Sequence, residues 1–255
     1  MSYAELLEAK RAREIHDHIL RGGYPEIWQQ NIDPTRWLGS YIQTYVQRDV
    51  RLIRNITDLA SFNRLVQSLA PIAGQLLNRD ELARKIGVDT KTIQAWLGLL
   101  EASHIIFMLQ PWHNNLNKRI VKSPKLFFHD TGLLCYLLQI KSKTTLNQSP
   151  KYGSIFENWA ISEIVKNREN RGMKGGMFFF RDSTGNEVDL IIEKETGPLA
   201  IEIKSSKRVS NEMLSGLKYW HKYQPGSSAV LLSQAPGGEH SGISNMAWNE
   251  VGEIF

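Results

Sequence analysis

The spacing of apolar residues changes twice along the chain. Over residues 1–55 it is helical: "YAELLEAKRAREIHDHIL" is charged and amphipathic, and "TRWLGSYIQTYVQRDV" sets Trp37, Tyr41 and Tyr45 at helical spacing. Between them "RGGYPEIW" breaks the pattern with a glycine pair and a proline, which reads as a joint. From 58 onward Leu59, Phe62, Leu65, Val66 and Leu69 share one helix face. A short helix, "RDELARKI", closes at Gly87, and another opens after "GVD" with Ile93, Trp96, Leu97 and Leu100 at i, i+3, i+4 and i+7. Two helices, a tight glycine turn and a third helix predict a helix-turn-helix. "HIIFMLQPW", the basic tip "HNNLNKR" and "PKLFFHD" would then complete a wing.

The polar stretch at 141–154 lacks an apolar period and predicts a boundary. Beyond it come a helix ("FENWAISEIVKN"), three strands ("GMFFFR", "NEVDLIIE", "LAIEIK"), a helix ("NEMLSGLKYWHKY") and a strand ("SAVLLS"), with "GISNMAWNEVGEIF" offering an edge strand. The predicted organisation is a helical segment over 1–55, a winged helix-turn-helix domain over 56–140 and an α/β sandwich over 151–255, an α+β or α/β chain in all.

Composition narrows the chemistry. The 255 residues suffice for a large core, and 42% hydrophobic with 22% charged usage is that of a globular protein. Cys135 is the single cysteine, which excludes an intrachain disulfide and a thiolate zinc site within one chain. No signal peptide is read at "MSYAELLEAK", and no apolar run reaches the roughly 18 residues needed to cross a bilayer. The expected location is therefore cytoplasmic, with no membrane partner.

In "NEVDLIIEKETGPLAIEIKSS" alternation puts Glu187 and Asp189 on one face of a strand, opposite Val188, Leu190 and Ile192. On the next strand Glu202 and Lys204 oppose Leu199, Ile201 and Ile203. If the strands pair, Asp189, Glu202 and Lys204 converge. One reading is a solvated salt-bridge grid. The other is a metal site, in which Asp189 and Glu202 hold magnesium or manganese and Lys204 positions a water. Asp189 sits in a strand against its propensity, and Glu157 shares a helix face with Ile161 and Ile164 that should meet the sheet. Both features favour the second reading.

Glu157 on the helix, the strand Asp189 and "EIK" at 202–204, in this order, resemble the PD-(D/E)XK nuclease superfamily, with Val188 where the name's proline would stand. Together with "GGYPEIW", "LLNRDELARKIGVDTKTIQAWLGLLE", "KRIVKSPKLFFHDTGLLCYLL" and "GSIFENW", they resemble the C-terminal half of a family of bacterial and archaeal AAA-type ATPases. The resemblance implies a winged helix followed by a restriction-endonuclease-like domain, with Asp189, Glu202, Lys204 and Glu157 as site residues. It also implies a partner ATPase or an ATPase half beyond this chain. No G-x-x-x-x-G-K-[ST] occurs here, so no ATP site is expected, and the chain would be a truncated or naturally shortened member.

The formal charge is +5 and clustered, with Lys118, Arg119, Lys122 and Lys125 running without an acid. DNA is the expected partner: Thr90, Lys91 and Gln94 on the exposed side of the third helix would face bases, and Lys118, Arg119 and Lys122 phosphates. The alternative is a protein-binding scaffold in which the threonines cap the helix. Two function classes follow: a magnesium-dependent DNA nuclease or nuclease-derived DNA-binding protein, or an inactive DNA- or protein-binding module that regulates a partner ATPase. His104, in an apolar run, is expected in the core, His16 and His18 in solvent, and Asp130 as a helix cap.

Overall fold

The computed structural model describes residues 1–44, 58–112 and 122–254. Tyr45, Lys118 and Arg119 lie outside the described residues.

Local chemistry starts and stops the N-terminal helices. In α1 (Tyr3–Glu8) the Ser2 hydroxyl accepts from the Glu5 amide at 3.3 Å while the Glu5 carboxylate accepts from the Ser2 amide at 2.5 Å, a reciprocal capping box. Helix α2 (Ile15–Arg21) ends at Gly22, whose φ of +67° and ψ of −160° suit glycine alone. Helix α3 (Pro25–Gln29) begins on a proline, and α4 (Pro34–Thr44) follows. The glycine joint is therefore real, and it docks on a second motif. Asp130 accepts from the Gly23 amide at 2.6 Å and caps α8 (Thr131–Leu137) through the Leu133 amide at 2.8 Å.

Helices α5 (Leu59–Leu69), α6 (Arg79–Ile86) and α7 (Thr90–Ala102) bury the predicted apolar faces. Asn78 caps α6, Gly87 closes it in the left-handed conformation at φ +84°, and Asp89 caps α7 through the Thr92 amide at 2.7 Å. The cap is thus Asp89 and not a threonine. The polar stretch after α8 contains a helix, α9 (Lys143–Gln148), opened by a Ser142–Thr145 capping box and anchored by a buried Leu146.

Eight strands form one mixed sheet among the described residues, in the order β2-β1-β3-β4-β5-β6-β8-β7. They are β1 (Ile106–Pro111), β2 (Lys125–Phe128), β3 (Met177–Arg181), β4 (Glu187–Ile192), β5 (Leu199–Lys204), β6 (Ser228–Ser233), β7 (Gly238–His240) and β8 (Ile243–Ala247). Strand β1 runs antiparallel to β2 and parallel to β3, so the strands that follow α7 extend the C-terminal sheet. Strand β8 is internal, with β7 at the edge, because after β6 the chain first runs out to the edge as β7 and then folds back as β8 to pair in parallel with β6.

Two helices sandwich the sheet's centre. Helix α10 (Tyr152–Asn170) packs beside Leu190, Ile192, Ile201 and Ile203, and α11 (Ser215–Tyr223) sets Leu217 and Trp220 against Phe180, Val188, Ile191 and Ala200. Because both faces are covered, the strands are buried on both sides. Asp189 and Glu202 of β4 and β5 therefore lie under helices and not in water.

Candidate functional site

The acid cluster depends on a fault in the sheet. Phe178 opposes Ile191 and Phe180 opposes Val188, so β4 carries one extra residue at Asp189–Leu190 against a single Phe179. This bulge shifts the alternation that the sequence reading assumed: Val188 and Ile191 enter the core under α11, whereas Leu190 and Ile192 enter the one under α10. Ladder pairing between β4 and β5 covers Leu190–Ile192 against Leu199–Ile201. Past it, the Asp189 carboxylate takes the place of a backbone acceptor and receives the Ile203 amide at 2.8 Å. The side chain is thereby fixed by the backbone of the strand that carries Glu202 and Lys204.

The three residues meet. Lys204 Nζ lies 2.5 Å from Glu202 Oε1 and 3.6 Å from Asp189 Oδ2. Asp189 and Glu202 are buried, at 7% and 8% exposure, so the solvated-grid reading is set aside by their burial. Glu157 reaches the same network from α10 through the last residue of the acid-free basic run, Lys125. Lys125, at the start of β2, is 3% exposed, and its Nζ lies 3.3 Å from Glu157 and 2.5 Å from Glu187. Its ammonium also sits 5.5 Å from the centre of the Phe179 ring, the residue opposite the bulge. Glu187 continues outward to Arg181 at 3.3 Å. A lysine immediately before the apolar run "LFF" was the available signal, since a surface lysine seldom opens a fully buried strand.

Four carboxylates thus surround two ammonium groups. Burial, with the like charge of Asp189 adding to it, pushes the Glu157 carboxyl up to about 7 against the pull of Lys125. Burial and Asp189 likewise raise Glu202 to about 8 against Lys204. Burial also works against the charge on Lys125, but Glu157, Asp189 and Glu187 outweigh it and hold the ammonium above the ordinary lysine range. One oxygen stays unmatched: Glu202 Oε2 is buried with no hydrogen-bond partner. An unsatisfied buried acceptor of this kind costs on the order of 1–3 kcal/mol. It lies beside Gly216 in the first turn of α11, where a Cβ would stand 3.2 Å from Glu202 Oε2 and 2.2 Å from the Glu187 carbonyl oxygen.

Buried carboxyls that a cation could bind in place of their protons, with an orphan oxygen among them, fit a divalent ion, for which Asp189 and Glu202 would be the protein ligands and Glu157 an outer partner. Among the described residues no group of three His, Cys, Asp or Glu side chains converges as a ready cage. Two carboxylates completed by water and phosphate are nevertheless a magnesium-like donor set. Lys204, paired with both, is 36% exposed at its side chain.

The raised carboxyl pKa values set a pH dependence. Above pH 6.5 the folded protein retains protons on Glu157 and Glu202 that the unfolded chain, with carboxyls near 4.5, has released. Stability in chelator is expected to fall by about 1–2 kcal/mol between roughly pH 6.5 and 8.5. Lys125 and Lys204 stay charged throughout, and the buried His18 and His129, held down to about 4 by desolvation, oppose the trend only below 6.5. Urea unfolding across this window checks it, and a flat or rising profile contradicts the charge arrangement. Glu202→Gln should flatten the slope.

The DNA-facing candidates are partly gathered. Thr90, Gln94 and Lys122 line one groove of about 770 Å³ between α6, α7 and the start of β2, together with Arg79, Asp80 and Glu81. Thr90 donates to Asp80 at 2.8 Å, while Lys91 is exposed outside the groove. Two histidines fall opposite to expectation. His18 is buried among the rings of Tyr3, Trp28 and Trp248, and its Nε2 accepts from the Arg13 amide. His104 is exposed at a left-handed turn, φ +53°, before β1.

Fold and site define a mixed α/β protein with a helical N-terminal part and a buried acid–lysine cluster at a sheet bulge. The chain belongs to the family of the domain of unknown function DUF8612, whose model matches residues 12–144. Residues 152–246 match a second domain of unknown function, DUF4143, which is found in AAA-ATPase-associated proteins. Uncharacterized proteins of Mycobacterium bovis and of Mycobacterium tuberculosis are each 32% identical over 202 residues, which is 78% of this chain and 45% of the relative. The chain therefore spans less than half the length of these relatives. No solved structure matches it.

Proposed function

We propose that the chain is a metal-dependent DNA nuclease, or a DNA-binding protein derived from one, of PD-(D/E)XK type with a winged helix before it. The observation that carries this reading is the bulge that aims Asp189 at Glu202 and Lys204 while leaving Glu202 Oε2 unpaired and buried. Asp189 and Glu202 would hold magnesium or manganese, and a divalent ion there would neutralise charge on a phosphodiester under attack. Lys204 orients the attacking water and offsets charge at the scissile phosphate, and Glu157 supports the ligand set through Lys125. Phosphate binding is assigned to Lys118, Arg119 and Lys122, and base contact to Thr90, Lys91 and Gln94.

Manganese titrated into the protein should bind at a site that Asp189→Ala abolishes; identical titrations for wild type and variant would sink the metal assignment. On DNA, Asp189→Asn and Lys204→Ala should each remove metal-dependent cleavage, whereas Glu157→Gln should only reduce it. The basic residues have a separate test. Replacing Lys118, Arg119 and Lys122 with alanine should weaken duplex binding and flatten its salt dependence by about 2–3 units. An unchanged slope would assign these residues to the solvated surface.

A second reading, an inactive DNA- or protein-binding module that regulates a partner ATPase, is favoured by Lys125 and Lys204 together. These two already neutralise half of the buried carboxylates without any ion. Retained DNA binding without manganese binding would select it.

A further inference from the structure

A second charged site, sharing no residue with the acid cluster, lies where the N-terminal helices meet. A cavity of about 260 Å³ is lined by Lys10, Arg11, Ala12, Arg13, Arg21, Trp28 and Asn31, four cations and no acid. Neutral groups hold two of these cations in place. Arg11 donates to the Trp28 carbonyl oxygen, and Arg21 donates at 3.0 Å both to the Ile27 carbonyl oxygen and to Asn31 Oδ1, its guanidinium 5.1 Å over the Trp28 ring. None of the four makes an ion pair with a carboxylate among the described residues. The acids that act on Arg21 are engaged elsewhere: Asp17 pairs with Lys143 at 3.0 Å, and Asp33 accepts the Arg36 amide at 2.8 Å.

Three features mark the cluster as more than a solvated basic loop. Arg21 Nε is buried and has no acceptor, so one donor of the guanidinium fork is unmatched. Burial, and then the like charge of Arg13, disfavour the Arg21 cation, a cost that an anion in the cavity would offset. Finally, two of the five non-glycine residues with positive φ among the described residues, Lys10 at 53° and Asn31 at 52°, border this cavity. At Lys10, which follows the α1 C-cap and is a position that favours glycine, the left-handed backbone brings a cation to the rim.

We propose that this cavity is a binding site for a phosphate group, its oxygens received by Arg21 and ringed by Lys10, Arg11 and Arg13. Arginine forks match phosphate oxygens in geometry as well as charge. The group belongs either to a free phosphate compound or to a polynucleotide backbone. The test uses the full chain in chelator at constant ionic strength, with inorganic pyrophosphate and a short single-stranded oligonucleotide as probes, followed by titration calorimetry and by the Nε–H resonances of arginine in nitrogen-15 spectra. At least one probe should bind, shift the Arg21 resonance and lose about tenfold or more in affinity in Lys10→Gln/Arg13→Gln. Both side chains are exposed, and the backbone spectrum reports whether the variant keeps its fold. Loss with pyrophosphate identifies a free phosphate as the source, and loss with the oligonucleotide alone identifies a polynucleotide. Affinity for both probes equal in wild type and variant, or no shift at Arg21, overturns the proposal.

Discussion

Lys125→Met is expected to lower the stability of the protein by about 3–5 kcal/mol, the usual consequence of leaving buried charges without their counter-ion. Methionine matches the length of the lysine stem but offers no charge: Glu157 would lose its ion-pair partner and be left with the like charge of Asp189, and Glu187 would keep only Arg181 at 3.3 Å. The effect should be conditional. In a Glu157→Gln/Glu187→Gln background the same change should cost far less, since the charges that demand a lysine are gone. Denaturant unfolding of the four proteins reads the coupling directly. If Lys125→Met costs the same in both backgrounds, its role is packing on Phe179 and the charge argument fails.

Gly22→Ala should be nearly as damaging, with a loss of about 3 kcal/mol. Part of the cost is conformational, because φ +67° with ψ −160° is all but closed to a residue bearing a Cβ. The remainder is steric: that Cβ would stand 2.2 Å from Asp130 Oδ1, so the carboxylate must move away from the Gly23 and Leu133 amides that it holds. Losing the cap alone is worth about 1 kcal/mol. Asp130→Asn in the glycine parent provides the comparison: it keeps one acceptor oxygen but turns an NH2 toward the second amide, so it should lose part of the same stability. A thermal melt of Gly22→Ala close to that of the parent would mean that the joint is looser than its hydrogen bonds indicate.

The helices that bury one face were legible from spacing alone: Leu59 to Leu69 and Ile93 to Leu100 carry their period openly, and Gly87 and Asp130 announce a helix end and a helix start. The strands at 177–181, 187–192, 199–204 and 228–233 were legible as short apolar runs between turns, although the alternation within 187–192 was not. Asp189, Glu202 and Lys204 could be gathered because β4 and β5 are joined by a short turn, so neighbours in sequence are neighbours in space. What stayed hidden depends on long-range pairing. The bulge at Asp189 exists only because β3 is one residue short against β4, which neither strand records by itself. Lys125 joins the acids because β1 pairs with β3, residues separated by more than sixty positions, and a basic run in the sequence carries no mark of that encounter. His18 was misjudged because its own helix is polar, and the rings that enclose it come from Tyr3, Trp28 and Trp248.

The outer margin of β2 has no vacancy. The Asn158 side chain accepts the Phe128 amide and donates to the Phe128 carbonyl oxygen, both at 2.8 Å, as a strand residue would. The turn at 74–77 does the same further along: Gly74 and Leu77 donate to the Leu126 and Pro124 carbonyl oxygens, and Gln75 accepts from Leu126. An edge clothed in this way offers a foreign strand neither donors nor acceptors, which protects a hydrophobic "KLFF" from intermolecular pairing. Among the described residues the sheet therefore has one open edge, and a strand added by another chain would enter beside the three exposed residues of β7.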